Sequence, residues 1–456
     1  MKRSLLLAPL LIAALSTTAF ASGFAIIEQS VSGLGSAFSG GAAAAEDASA
    51  MYYNPATMTL IKGQQVVGGS HVIVPSAKVT ISEATSAAGA INPAFASITG
   101  GNGENAGVTG VVPNLYYVNN PGNGFAFGLG INAPFGLATK YDRTWIGRYH
   151  AVESDVMSIN INPALAYQVN DKLSLGAGLN VMYMKATLSS MVNGGLAAAS
   201  KGGAALPNSP AFDVFVENKA DSWAYGFNLG ATYQLTDATR FGLAYRSEVK
   251  QELKGTTKTD VPAALAATTL PALGGITADL LFQNQNVNGK IDLPASASLS
   301  INHQLNQKLS LMGDVSWTDW SSFQELTLNF EGTGIAGKTS TTTVEKWDDS
   351  WRFSLGSLYQ FSDALTLRCG VAFDQTPIAS AEHRTPRIPG EDRTWLALGA
   401  GYRFSESLRA DFAYAHLFVK DSTLNLSLAD NQSSGSLVGK SENKVDIVSV
   451  QLVYAF

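Results

Sequence analysis

The sequence predicts an all-β fold: a 14-stranded antiparallel transmembrane β-barrel plugged by a small, partly helical N-terminal segment. Three observations carry this prediction. An export signal is followed by no apolar run long enough for a helical span. Short alternating stretches recur between tight turns. The chain is 46% hydrophobic, only 14% charged, and holds 44 Gly, 15 Tyr and 21 Phe, a balance that suits a membrane barrel better than a soluble enzyme.

Residues 1–21 read as a secretory signal peptide. Lys2 and Arg3 are basic, residues 5–15 are apolar apart from Pro9, and Ala19-Phe20-Ala21 gives a small-x-small cleavage site. Residues 22–63 precede the first alternating run. They contain Ser32-Gly33-Leu34-Gly35, the stretch GAAAAEDASAM and Asn54-Pro55-Ala56, which read as short helices and turns. Phe24, Ile26, Ile27, Phe38, Tyr52 and Tyr53 make this segment too apolar for disorder. It is the expected plug, and residues 64–456 are the expected barrel.

The clearest strand ends the chain. Val448, Val450, Leu452, Tyr454 and Phe456 share one parity, and Ser449, Gln451, Val453 and Ala455 share the other. An apolar face opposite a mixed face is what a lipid-facing strand requires. A terminal aromatic on the lipid parity is similar to the end of bacterial outer-membrane barrels. Five related turns, YQVNDKLSLG, YQLTDATRFG, HQLNQKLSLM, YQFSDALTLR and YRFSESLRAD, each join two such runs. A sixth is Asn119-Asn120-Pro121-Gly122-Asn123. Six hairpins and two flanking strands give fourteen, with long connections near residues 76–108, 137–152, 188–220, 251–290, 326–347, 375–392 and 418–442. Short turns on one side and long loops on the other are the asymmetry of such barrels, the long loops lying outside.

Parity sorts the charges as well. Trp351, Phe353, Leu355 and Tyr359 face lipid, as do Leu367, Cys369, Val371 and Phe373. Arg246, Glu248, Asp314, Arg352, Arg368, Asp374, Arg409 and Asp411 face the lumen. About eight strands are filled by their own side chains, so fourteen leave an interior that the plug must close or that leaks as a general porin.

One strand is interrupted. Residues 128–132, GLGIN, read as strand, yet Pro134 and Gly136 follow within Asn132-Ala133-Pro134-Phe135-Gly136. Proline cannot donate to a ladder and glycine weakens a strand, so a break or bulge is expected here. The loops at 191–207 and 261–282 are Ala- and Leu-rich. Leu196, Leu265, Leu270, Leu273, Leu280, Leu281 and Phe282 are the expected lining of an apolar capture surface.

Several functions are disfavoured. The five histidines are scattered, and neither a GxSxG nor an HExxH pattern occurs, so no enzyme, metal or cofactor is expected. A net charge of -6 without a polybasic stretch argues against nucleic acid.

The chain resembles the FadL/TodX family of outer-membrane transporters for long-chain fatty acids and other hydrophobic compounds. The resemblance rests on SGF, SGLG and NPA near the mature start, then TYQL through AYRSEVK, DLP, WTDWSSFQ, DDSWRFSLG, RCGVAFDQTP and EDRTW. It implies a Gram-negative outer-membrane location, a plug acting as a hatch with Phe24 reaching into an internal pocket, and a docking groove on the long loops. It also implies a kink in the third strand that opens sideways to the bilayer. The expected ligand is a long-chain fatty acid, or else a neutral hydrocarbon or aromatic compound, and the expected assembly is a monomer in contact with outer-membrane lipid. A fatty acid brings a carboxylate, for which Arg246, Arg352 and Arg368 are candidates; the same arginines suit a charge ladder with Glu248, Asp314 or Asp374.

Overall fold

The computed structural model describes residues 23–431 and 433–456, so the expected signal peptide lies outside the described residues. Among the described residues, 14 antiparallel strands form the wall. The first seven are β1 (Gly63–Thr85), β2 (Gly110–Asn120), β3 (Phe125–Asn132, resuming at Gly136–Lys140), β4 (Glu153–Gln168), β5 (Leu173–Val192), β6 (Val214–Thr236) and β7 (Thr239–Arg246, then Val249–Asp260). The rest are β8 (Gln285–Leu293, then Ser296–Gln304), β9 (Leu309–Thr318, then Glu325–Glu331), β10 (Ser340–Val344, then Ser350–Gln360), β11 (Leu365–Asp374), β12 (Arg393–Arg403), β13 (Leu408–Val419, then Ser422–Leu426) and β14 (Ser436–Ala455). Pairing of β1 with β14, from Gln65↔Ala455 to Thr85↔Ser436, closes the ring. Closure is what hydrocarbon demands, because it offers no partner to an exposed sheet edge.

The alternation read from the sequence is the alternation of the wall. Leu355 is 68% exposed and Val450 56%, while the intervening Ser354 and Gln451 are buried. Cys369 sits on the exposed outer face. The connections, however, are shorter than expected. Residues 76–85, 188–192, 251–260, 326–331 and 340–344 continue as strand, with Thr257 still paired to Gln285. In QELKGTTKTD the buried face (Gln251, Leu253, Thr257) is mostly polar like the exposed one, so the hydrophobic signal of period two disappears although the ladder persists.

The octapeptide GTGIAGKT at 332–339 has the GxxxxGK[ST] spacing of a phosphate-binding loop. It forms the tip between the outer pieces of β9 and β10, strand followed by strand. A phosphate cradle needs the strand-to-helix turn that is missing here.

Residues 23–62 fill the lumen as the helix α1 (Val31–Gly35) and two 3₁₀ turns, Ala48–Tyr52 and Pro55–Leu60. Each begins on a short polar cap: the side chains of Ser30, Asp47 and Asn54 accept from Gly33, Ser49 and Ala56 backbone N–H. Asn54 also donates to Ala42 and Ala231 carbonyls at 2.7 and 2.9 Å, fixing the plug to β6. On β7, a Cβ at Gly242 would collide with the Ala42 carbonyl, so glycine there admits the plug backbone.

Leu355 lies midway along the inner piece of β10. Leu355→Arg is expected to destabilise the barrel by about 2–4 kcal/mol, the penalty of a cation at the bilayer midplane, in denaturant unfolding from lipid vesicles.

Candidate functional site

The break in β3 is where the wall is incomplete. The β2–β3 ladder runs from Asn119↔Phe127 to Leu115↔Ile131 and stops there. On its other side β2 stays paired to β1 as far as Gly110↔Ile73. Residues 110–114 therefore face β3 without a partner strand, and the next bridge across is Gly107↔Thr139. On the bilayer side, a recess of about 940 Å³ is lined in part by Pro113, Leu115, Ile131, Ala133, Met157 and Ile159.

From inside, the gap is covered by the start of the plug. Ile26 N–H donates to Pro134 O at 2.8 Å and Gly136 N–H to Phe24 O at 2.9 Å, making Ala25 and Phe135 an antiparallel pair. The Phe135 N–H donates to Ser158 Oγ at 2.9 Å.

Phe24 itself is 4% exposed and stands in an aromatic box. Its ring centroid is 4.9 Å from Trp320, 5.7 Å from Phe323, and 6.0 Å from both Trp347 and Phe135. The box exists because β9 and β10 both jog inward between their two pieces, still joined by Glu345 N–H to Gln324 O at 2.9 Å. Gly23 precedes Phe24 at φ +59°, and any side chain there would strike Trp320 and Trp347. Behind the box, Glu345 lies in the link of β10 outside the membrane-spanning run. Burial pushes its carboxyl up to about 8, outweighing the 3.2 Å donation from Trp347 Nε1. It is thus largely neutral at pH 7 and opposes an acidic ligand weakly.

Next to the box lies an internal cavity of about 160 Å³, below the ~300 Å³ of an ordinary ligand pocket. Ala25, Ile26, Pro134 and Phe135 line one side. Ser296, Ser298, Ser316, Thr318, Arg246 and Arg352 line the other.

Residues 12–456 match the family described as outer membrane protein transport protein (OMPP1/FadL/TodX). The chain belongs to this family. It is 34% identical over 414 residues to the 47 kDa outer membrane protein of Pasteurella multocida, covering 90% of this chain and 91% of that one. It is 29% identical over 454 residues to the long-chain fatty acid transport protein of Salmonella typhi, covering 98% and 97%. A solved Pseudomonas aeruginosa FadL homologue superposes with a TM-score of 0.83 at 30% identity, covering 95% of this chain and 99% of that one. This FadL/TodX-family barrel is accordingly an outer-membrane protein.

The three candidate arginines of this family member are in different states. Arg368 pairs with Glu46 at 2.7 Å and Asp411 at 3.0 Å, so it clamps the plug. Arg246 donates to Tyr52 O at 2.7 Å and to Asn180 Oδ1, and lies over the Tyr52 ring. Arg352 is 6% exposed and donates through Nη2 to Ala37 O at 2.8 Å. Its Nε and Nη1 have no hydrogen-bond partner among the described residues. None of the three forms an ion pair with Glu248, Asp314 or Asp374 among the described residues. The plug is held instead by Glu46 and Asp47, the latter bonded to Ser32, Arg409 and Gln451.

The expected capture surface needs correction. Leu265, Leu270 and Phe282 are at most 1% exposed, packed with Ala198, Val214 and Ile335 in a core of the outer loops. Apolar loop residues bury each other first, which their composition could not reveal. Leu273 and Leu280 remain exposed, whereas Leu196 and Leu281 are half-buried. Of the plug positions, Ser32, Leu34, Gly35, Asn54, Pro55 and Ala56 are buried and Gly33 is half-buried. Trp320, Phe323 and Trp347 were not among the sequence candidates; the crowding of tryptophans in WTDWSSF and VEKWDDSW was the available signal.

Asp47→Ala would remove one of the two buried carboxylates that Arg409 and Gln451 share, leaving them Asp411 alone. The expected cost is about 1.5–3 kcal/mol of plug stability, read as faster amide exchange over residues 30–60 and a raised conductance in planar bilayers.

Proposed function

We propose that this protein carries long-chain fatty acids passively across the outer membrane, from the outer loops through the aromatic box to a lateral exit at the break in β3. One observation carries the reading: the segment that fills the box with Phe24 also covers the gap, with Ala25 against Phe135. A ligand that takes the box must displace Phe24, and displacing Phe24 pulls on the two backbone bonds that seal the wall.

The proposed route starts at exposed loop residues such as Leu206, Leu273 and Leu280. In the box the acyl chain takes the place of the Phe24 ring. The carboxylate is received by the free donors of Arg352, a charge-assisted contact in surroundings poor in water. Hatch movement then widens the small cavity, and the chain leaves between β2 and β3 beside Pro134. Sideways escape suits the cargo, since each methylene kept out of water is favourable by about 0.8 kcal/mol. Asn132, Ala133, Pro134, Phe135 and Gly136 form the gate in this reading, and residues 23–29 form its moving cover.

A covalent lock tests the route. Ala25 and Phe135 have the geometry of a non-hydrogen-bonded antiparallel pair, whose ~4.5 Å Cα separation admits a disulfide. With Cys369→Ser to remove the native thiol, the Ala25→Cys/Phe135→Cys barrel is expected to take up labelled oleate only after reduction. Equal uptake in oxidised and reduced cells would sink the lateral route. Arg352→Gln is expected to lower saturable oleate uptake about tenfold while toluene entry is unchanged. Saturable toluene uptake with no oleate uptake in the parent barrel would move the cargo to neutral hydrophobics.

A further inference from the structure

We propose that Gln29 is the latch of the lateral gap, a positioning residue whose side-chain amide replaces the strand neighbour that β3 has lost. The inference rests on the exit reading above and adds to it the residue that sets how readily the gap opens. At the break, the peptide groups of residues 133–136 lie in apolar surroundings, where an unpaired N–H or C=O is costly. Ile26, Phe24 and Ser158 satisfy Pro134, Phe135 and Gly136. Ala133 is left, and a single amide serves both of its groups. Its N–H donates to Gln29 Oε1 at 3.2 Å, and its C=O accepts from Gln29 Nε2 at 2.8 Å. Nε2 also donates to Ile26 O at 3.1 Å, tying the latch to the cover segment.

Gln29 holds the opposite lip as well. Its backbone O accepts from Tyr116 Oη at 2.9 Å, and Tyr116 belongs to β2. One fully buried residue therefore ties β2, at Tyr116 in the last rungs of the ladder, to β3 at Ala133 just beyond its end. Its backbone serves one strand and its side chain the other. The amide both donates and accepts at Ala133, and asparagine is one methylene too short to do so from this backbone position.

The latch stabilises the state in which Phe24 occupies the box, so weakening it removes competition for the ligand. Gln29→Glu keeps the shape but, when ionised, cannot donate to Ala133 O or Ile26 O. A protonated carboxyl has one O–H donor and an acceptor oxygen, so acid restores the two bonds to Ala133 though not the third to Ile26 O. The test measures oleate uptake per folded barrel, counted by heat-modifiable gel mobility, with the parent protein in parallel at pH 5 and pH 8. Gln29→Ala is expected to lower the half-saturating concentration about fivefold at both pH values. Gln29→Glu should do so at pH 8 and return towards the parent at pH 5. A residue that merely supports folding would change the number of barrels and leave half-saturation and its pH dependence unmoved. Uptake that the Ala25/Phe135 disulfide blocks but that both Gln29 variants leave unchanged overturns the latch alone. Uptake indifferent to that disulfide overturns the exit reading and the latch with it.

Discussion

Every peptide group at membrane depth must find its partner within the protein, and that single constraint organises this molecule. It forces closure of β1 on β14. It also makes the interrupted β3 expensive, because residues 133–135 leave the ladder where water cannot compensate. The N-terminal residues answer that cost with backbone, with Phe24 and Ile26, and with one side-chain amide. Plug and gap are therefore not separate devices. The same hydrogen bonds that complete the wall hold an aromatic ring in the interior box.

The plug is attached in two different ways along its length. Beyond Ser30 it is fastened by charge: Glu46 and Asp47 meet Arg368, Arg409 and Gln451, and Asn54 reaches the backbone of β6. Before Ser30 it is held mainly by neutral hydrogen bonds and ring packing, with Glu28 the one buried carboxyl of the stretch. Removing one partner of a buried charge pair costs several kcal/mol, whereas a neutral hydrogen bond is worth about 1. The two halves differ in what it takes to move them. The proposed displacement of residues 23–29 would leave the charge-fastened remainder in place.

Much of this was legible in the sequence. Alternation such as Val448, Val450 and Leu452 against Ser449 and Gln451 has one physical meaning, a wall between lipid and lumen, and the tight turns count its strands. Pro134 and Gly136 announced a break by their own chemistry. The parts that stayed hidden depend on what a residue meets rather than on what it is. Arg352 and Arg368 carry the same charge and the same parity, yet only Arg368 is paired with a carboxylate of the plug, Glu46. Leu265 and Leu280 look alike in their loop, yet one is in a core and the other in solvent. The box escaped because Trp320 and Trp347 lie in links between strand pieces, where no periodicity says which way a side chain turns. Gln29 escaped because its partner is a backbone more than a hundred residues away.

The position of Asp47 has a consequence for how the molecule is built. Its partners Arg409 and Gln451 belong to the last two strands, at the opposite end of the chain. The plug is synthesised first, yet Glu46 finds Arg368 only on β11 and Asp47 its partners only on the last two strands. Loop closure over nearly four hundred residues must precede the reward of those contacts. The early segment must therefore wait for the late ones, and the strands that seal the ring also complete the seating of the plug.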